Sequence, residues 1–125
     1  IVNLRMHSGM NTPAPVQKAM TAALRDDEHV AVEREVYRKR RDVLLAAVRS
    51  YGFEVSNSEA GLYLWATLGE DCWTTVKRMA DIGIVVVPGT FYGESAPNHV
   101  RFSLTATDAN IAEAAKRLLE ATNLR

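Results

Sequence analysis

Apolar and polar positions along the chain alternate between two periods, and the changes of period mark the elements. Val16, Ala19, Met20 and Ala23 recur at helical spacing. Just before them, Thr12 reads as a helix cap and Pro13 as the first helical residue. Residues 1–11 show no clear period. The acids Asp26, Asp27 and Glu28 interrupt the pattern and favour a new helix start. A longer helix is predicted from about Glu28 to Tyr51, with Val32, Val36, Val43, Ala47, Val48 and Tyr51 on one face and Gly52 at its C-terminal cap.

Beyond Gly52 the period shortens. Phe53 to Asn57 reads as a short strand, residues 58–61 as a turn, and Leu62 to Thr67 as a second strand. Leu62, Leu64 and Ala66 point one way there, Tyr63 and Trp65 the other. So short a connection predicts an antiparallel hairpin. A helix follows from about Glu70 to Ile82, with Trp73, Val76, Met79 and Ala80 inward and Gly83 closing it. Ile84 to Val87 reads as a buried strand stopped by Pro88 and Gly89, Thr90 to Pro97 as a loop, and His99 to Leu104 as the last strand. Thr107 or Asp108 caps a final helix with Ile111, Ala114, Ala115, Leu118 and Leu119 on one face. The order α-α-β-β-α-β-β-α predicts an α+β fold, a small, mostly antiparallel sheet with helices packed on one face.

Composition narrows the functions open to such a fold. Fifteen basic and fifteen acidic residues cancel, so no net charge draws the chain to nucleic acid or a membrane surface. The longest apolar runs span a handful of residues, whereas a membrane-crossing helix needs about 20. The first residues lack a signal peptide's basic head and apolar core. A single cysteine, Cys72, cannot form an internal disulfide and fits a reducing cytoplasm. The chain begins with Ile1 rather than Met, which suggests a piece of a longer protein.

Candidate chemistry gathers late in the chain. In the last strand Val100, Phe102 and Leu104 suit a helix-covered face, while His99, Arg101 and Ser103 occupy the other. An arginine on a rigid strand suits bidentate binding of a carboxylate, although spacing alone favours an ordinary arginine on an exposed sheet face. The loop Pro88 to Gly93, with Phe91 and Tyr92, is equally compatible with a site lining and with a plain connection. The basic run Arg38-Lys39-Arg40-Arg41 reads as a solvated helix face balanced by Glu33 and Glu35 rather than as an anion patch. His7, His29 and His99 have no metal-ligand spacing, Cys72 reads as a packed side chain, and Tyr63 and Trp65 read as core and edge packing.

Three stretches in register carry a family resemblance: Ser58 to Trp65 (SEAGLYLW), Gly83 to Gly93 (GIVVVPGTFYG) and Val100 to Thr105 (VRFSLT). Together they resemble the C-terminal small domain of class I/II, fold type I, pyridoxal-phosphate-dependent aminotransferases. At finer grain, EAGLYLWA and LTATD are similar to the actinobacterial N-succinyldiaminopimelate aminotransferases. Residues 7–17 resemble the segment leaving the family's large domain. The resemblance implies 1–12 as that segment and 13–125 as the small domain.

It also implies roles. Arg101 matches the arginine that binds the substrate α-carboxylate. Gly61 and Leu62 match the turn and strand start near the substrate side chain, and Phe91 and Tyr92 would border the entrance. The cofactor would be pyridoxal phosphate, the substrates an amino acid and a 2-oxo acid, and the whole enzyme a cytoplasmic homodimer. None of the four lysines (Lys18, Lys39, Lys77 and Lys116) lies in the family's Ser-Lys context, so no catalytic or cofactor-binding residue is expected in this chain. The alternative from the residues alone is a stand-alone α+β module that binds a small acid or a protein.

Overall fold

The computed structural model describes residues 1–124. The chain falls into two compact units, Ile1–Arg34 and Glu35–Arg125.

The first unit is helical: α1 (Val2–His7), α2 (Ala14–Leu24) and the start of α3 (Asp27–Tyr51). It buries no side chain. Helix α1 lies where no period was expected, because Val2, Leu4 and Met6 are two apart and print no helical stripe. The start of α2 also shifts by one residue. Pro13, not Thr12, takes the cap position, with φ −57° and ψ 143°, and Pro15 falls in the first turn, where a missing N–H costs nothing. The Thr12 carbonyl instead accepts from Gln17 Nε2 at 2.6 Å. At the start of α3 the Asp26 carboxylate accepts from the backbone N–H groups of Glu28 and His29, at 3.1 and 3.2 Å.

The second unit carries the rest of α3, then β1 (Glu54–Val55), β2 (Tyr63–Thr67), α4 (Cys72–Asp81), β3 (Val87–Pro88), a 3₁₀ turn Gly89–Tyr92, β4 (His99–Ser103) and α5 (Asp108–Asn123). The sheet order is β1-β2-β4-β3, with every pairing antiparallel. The predicted hairpin forms between β1 and β2. The expected α+β fold is observed. Leu64 and Ala66 of β2, with Val100 and Phe102 of β4 and Leu104 beyond it, join side chains of α3, α4 and α5 in one core.

The helical faces are rotated slightly from expectation. On α3 the inward set is Leu44, Ala47, Val48 and Tyr51, spaced i, i+3, i+4, i+7, while Val32 and Val43 stand in solvent. On α4 the buried set is Cys72, Thr75 and Met79, flanked by Val76, and both Trp73 and Ala80 are exposed. The helix starts two residues later than expected because Asp71 caps it, accepting from Trp73 and Thr74 N–H at 2.9 and 3.2 Å. Thr75 is tolerated in the core because its hydroxyl donates to Glu70 at 3.0 Å. On α5, capped by Thr107, Ile111, Ala115 and Leu118 are buried while Leu119 is exposed.

Both edge strands are shorter than predicted. Of Phe53 to Asn57 only Glu54 and Val55 pair. Ile84 and Val86 are buried while Val85 is 92% exposed, an extended alternation that finds no ladder partner. Pairing begins instead at Val87 and includes Pro88, which an edge strand accommodates because its missing N–H faces outward. Among the described residues no helix is long and apolar enough to cross a membrane.

Candidate functional site

The site is built on the sheet face opposite the core formed with α3, α4 and α5. Antiparallel register sets Tyr63 opposite Ser103, Trp65 opposite Arg101, and Thr67 opposite His99. Because side chains alternate along a strand, all six project away from the core. Arg101 therefore stands mid-strand on a four-stranded sheet, flanked by Trp65 on β2 and Val87 on β3.

Its surroundings are aromatic rather than acidic. The Arg101 Cζ lies 4.1 Å from the Tyr63 ring centroid and 5.5 Å from that of Tyr92. Tyr92 meets Trp65 edge to face at 5.6 Å, and Trp65 stacks on His99 at 5.4 Å with the rings 9° apart. Among the described residues no carboxylate pairs with Arg101, and its shielded Nε has no hydrogen-bond partner. A cation without a counter-ion, held in a fixed fork of donors, can take an anion with two parallel oxygens.

The loop after β3 brings Tyr92 to this face. Gly89 opens the 3₁₀ turn where the backbone passes close to the carbonyl oxygens of Ala96 and His99. A Cβ at Gly89 would collide with the first and lie 2.7 Å from the second. Phe91, next along the turn, goes elsewhere and meets the Trp73 ring of α4 at 5.8 Å. The structure thus brings Arg101 and Tyr92 together and leaves Phe91 against a helix, 69% exposed.

Gly61 and Leu62 form the mouth of the β2 strand. Gly61 has φ +85°, a conformation that favours glycine. Its carbonyl accepts from Arg41 of α3, and the Leu62 carbonyl accepts from the Leu104 N–H at 2.8 Å. Of the basic run, Arg38 pairs with Glu35 and Asp42, and Arg40 reaches Asp108. Arg38 and Lys39 stand on a solvated helix face as expected, but Arg40 and Arg41 do not: the Arg40 side chain is only 17% exposed, and Arg41 reaches the Gly61 carbonyl.

Sequence reasoning did not assign Tyr63, Trp65 and His99 to the surroundings of Arg101. Alternation puts each on the correct face, but only the β2–β4 register makes them neighbours. All four lysines lie on helices rather than on the sheet. Lys39, Lys77 and Lys116 pair along their own helices with Glu35, Asp81 and Glu120, and Lys18 is exposed on α2. Cys72 is fully buried, with Sγ 3.7 Å from the Thr90 hydroxyl.

Comparison with known proteins shows the family and the fold. The Streptomyces rimosus 4-dedimethylamino-4-oxo-anhydrotetracycline transaminase OxyQ is 53% identical over 118 residues, covering 94% of this chain and 33% of that protein. An LL-diaminopimelate aminotransferase of Oleidesulfovibrio alaskensis is 36% identical over 107 residues, covering 82% of this chain and 28% of that protein. The chain thus spans a third or less of the length of these relatives. In fold it resembles the aromatic aminotransferase of Pyrococcus horikoshii OT3, with a TM-score of 0.84 at 21% identity, over 99% of this chain and 35% of that one. The family described as aminotransferase class I and II matches residues 4–118, and the chain belongs to it.

Proposed function

We propose that this chain is the C-terminal part of a pyridoxal-phosphate-dependent transaminase, in which Arg101 binds the α-carboxylate of the amino acid and of the 2-oxo acid. The observation that carries this is the Arg101 guanidinium on the sheet face opposite the core, with no acid paired to it among the described residues. Residues 1–12 lead from a larger domain and residues 13–125 form the small one. Gly61, Leu62 and Tyr92 line the approach to Arg101, with Phe91 at its outer margin. The amino-acid substrate is N-succinyl-diaminopimelate or glutamate, in lysine biosynthesis, and the whole enzyme a cytoplasmic homodimer; the EAGLYLWA and LTATD stretches support the diaminopimelate choice, as do relatives named LL-diaminopimelate aminotransferase.

The residues present do not fit pyridoxal phosphate by themselves. The family holds it on a lysine, and the four lysines here sit on exposed helical surfaces, three of them paired with acids. On this reading the lysine comes from outside this chain, and what these residues contribute is substrate binding and orientation. A rigid two-donor contact holds the carboxylate so that the reacting carbon is presented in one orientation.

The test is steady-state kinetics of the complete enzyme. Truncating one partner of a buried, hydrogen-bonded charge pair typically costs about 2–5 kcal/mol, and about 1.4 kcal/mol is tenfold. Arg101→Ala is expected to lower kcat/KM by roughly two to three orders of magnitude for both substrates, and Arg101→Lys to recover only part. A kcat/KM within about threefold of wild type for both substrates would make Arg101 structural.

A further inference from the structure

Arg101 is held in an unusual way for an arginine expected to meet a carboxylate repeatedly in one geometry. Among the described residues no acid, carbonyl or hydroxyl anchors its guanidinium, and its Nε is shielded without a partner. What remains is two rings, Tyr63 at 4.1 Å and Tyr92 at 5.5 Å. They differ in support. Tyr92 projects from a turn, more than half exposed. Tyr63 belongs to β2, paired with Ser103 of β4, and the adjacent Leu62 carbonyl is bonded to the Leu104 N–H. Tyr92 also packs on Trp65, but the closer ring is the one carried by a paired strand.

We infer that Tyr63 is the positioning residue for Arg101, its ring serving as the platform that holds the guanidinium in place for the carboxylate. The inference rests on the role proposed above for Arg101. A cation over an aromatic face is attracted to the ring's electron density. A guanidinium stacked in that way keeps its N–H donors in its own plane, free for two parallel oxygens. Among the described residues the Tyr63 hydroxyl makes no hydrogen bond, so the ring carries the effect and the phenol is dispensable.

The experiment compares Tyr63→Phe, Tyr63→Leu and Tyr63→Thr in the complete enzyme, with Arg101→Ala alongside. Read out are kcat and KM for both substrates, the inhibition constant of propionate as an inert carboxylate, and thermal melting. Tyr63→Leu and Tyr63→Thr are expected to raise both KM values and the propionate constant by roughly tenfold, with kcat within about threefold. Tyr63→Phe restores most of the affinity. The inference is overturned if the non-aromatic variants leave both KM values within about twofold of wild type, if only one substrate is affected, or if Phe is as poor as Leu. Thr keeps a β-favouring side chain should Leu disturb the strand. Failure of both to fold makes Tyr63 structural and also overturns it. If Arg101→Ala weakens binding and the Tyr63 variants do not, only this inference falls; if Arg101→Ala has no effect, the carboxylate role falls with it.

Discussion

Two faces of the same strands divide the work of this domain. On β4, Val100 and Phe102 are 0 and 2% exposed beneath α3, α4 and α5, while their neighbours face the other way: His99 stacks on Trp65, Arg101 lies over Tyr63 and Tyr92, and the Ser103 hydroxyl bonds that of Thr105. The covered face is apolar, densely contacted and indifferent to ligand chemistry. The open face holds a cation, four rings and the hydroxyls of Thr67 and Ser103 besides those of its two tyrosines, and contributes little to the core. The two sets interleave residue by residue, so a change on one side can test folding while its neighbour tests binding.

The largest effect is expected from the covered face. Phe102 meets Phe53 edge to face at 5.3 Å inside the core. Phe102→Ala in the complete protein should cost about 3–5 kcal/mol of stability through lost burial and the cavity left behind. One position earlier, Arg101→Ala should change stability by no more than about 0.5 kcal/mol while abolishing most carboxylate affinity. Denaturant unfolding of the two variants checks this. Comparable stability losses at both positions would mean that the open face is part of the fold.

How much of this division was legible follows from what each part depends on. The alternation of β4 is local, so which side chains turn to the core could be read from the sequence, as could the hairpin and the existence of all but the first helix. The rotation of α4 could not, because the pattern around Trp73 is ambiguous until Asp71 fixes the first turn and brings Cys72 and Thr75 inward. Arg101 stood out as mid-strand, and its role entered through the family resemblance. The same resemblance sets Tyr92 near the entrance, but Tyr63 is not expected beside Arg101, since it lies 38 positions away and meets it only through register. The short edge strands reflect a non-local condition too, since extended residues become strand only where a ladder partner lies alongside.

A smaller effect tests whether the helical layer can be loosened without disturbing the open face. The Asp71 carboxylate accepts from two N–H groups at the start of α4, and the Cys72 N–H donates to the Pro97 carbonyl at 2.8 Å. Asp71→Ala should cost about 1 kcal/mol, as cap losses typically do, and Asp71→Asn or Asp71→Ser should recover most of it. Because α4 lies on the covered side, KM for both substrates should stay near wild type. A parallel rise in KM would show that α4 and the Tyr92 turn move together.

The smallest effect separates both faces from the outer helix surfaces. Hydrogen bonding to Arg38 holds the Glu35 carboxyl below its ordinary value of 4.5, with the charges of Arg38 and Lys39 adding to it. Arg117 does the same for Glu113, with Lys116 adding. A carboxylate whose folded value is lowered stabilises the protein above the unfolded value and loses that contribution as pH falls through the folded one. The window therefore lies below pH 4.5, and the effect is small because both groups are exposed and screened by salt. Melting curves from roughly pH 6 to pH 3, at low and high salt, should show a falling acid limb that Glu35→Gln together with Glu113→Gln flattens at low salt. Among the described residues no carboxylate pairs with Arg101, so Arg101→Ala should leave the limb unchanged. An acid limb that disappears with Arg101→Ala would instead place an acid of the protein against that guanidinium and remove the vacancy on which the carboxylate role depends.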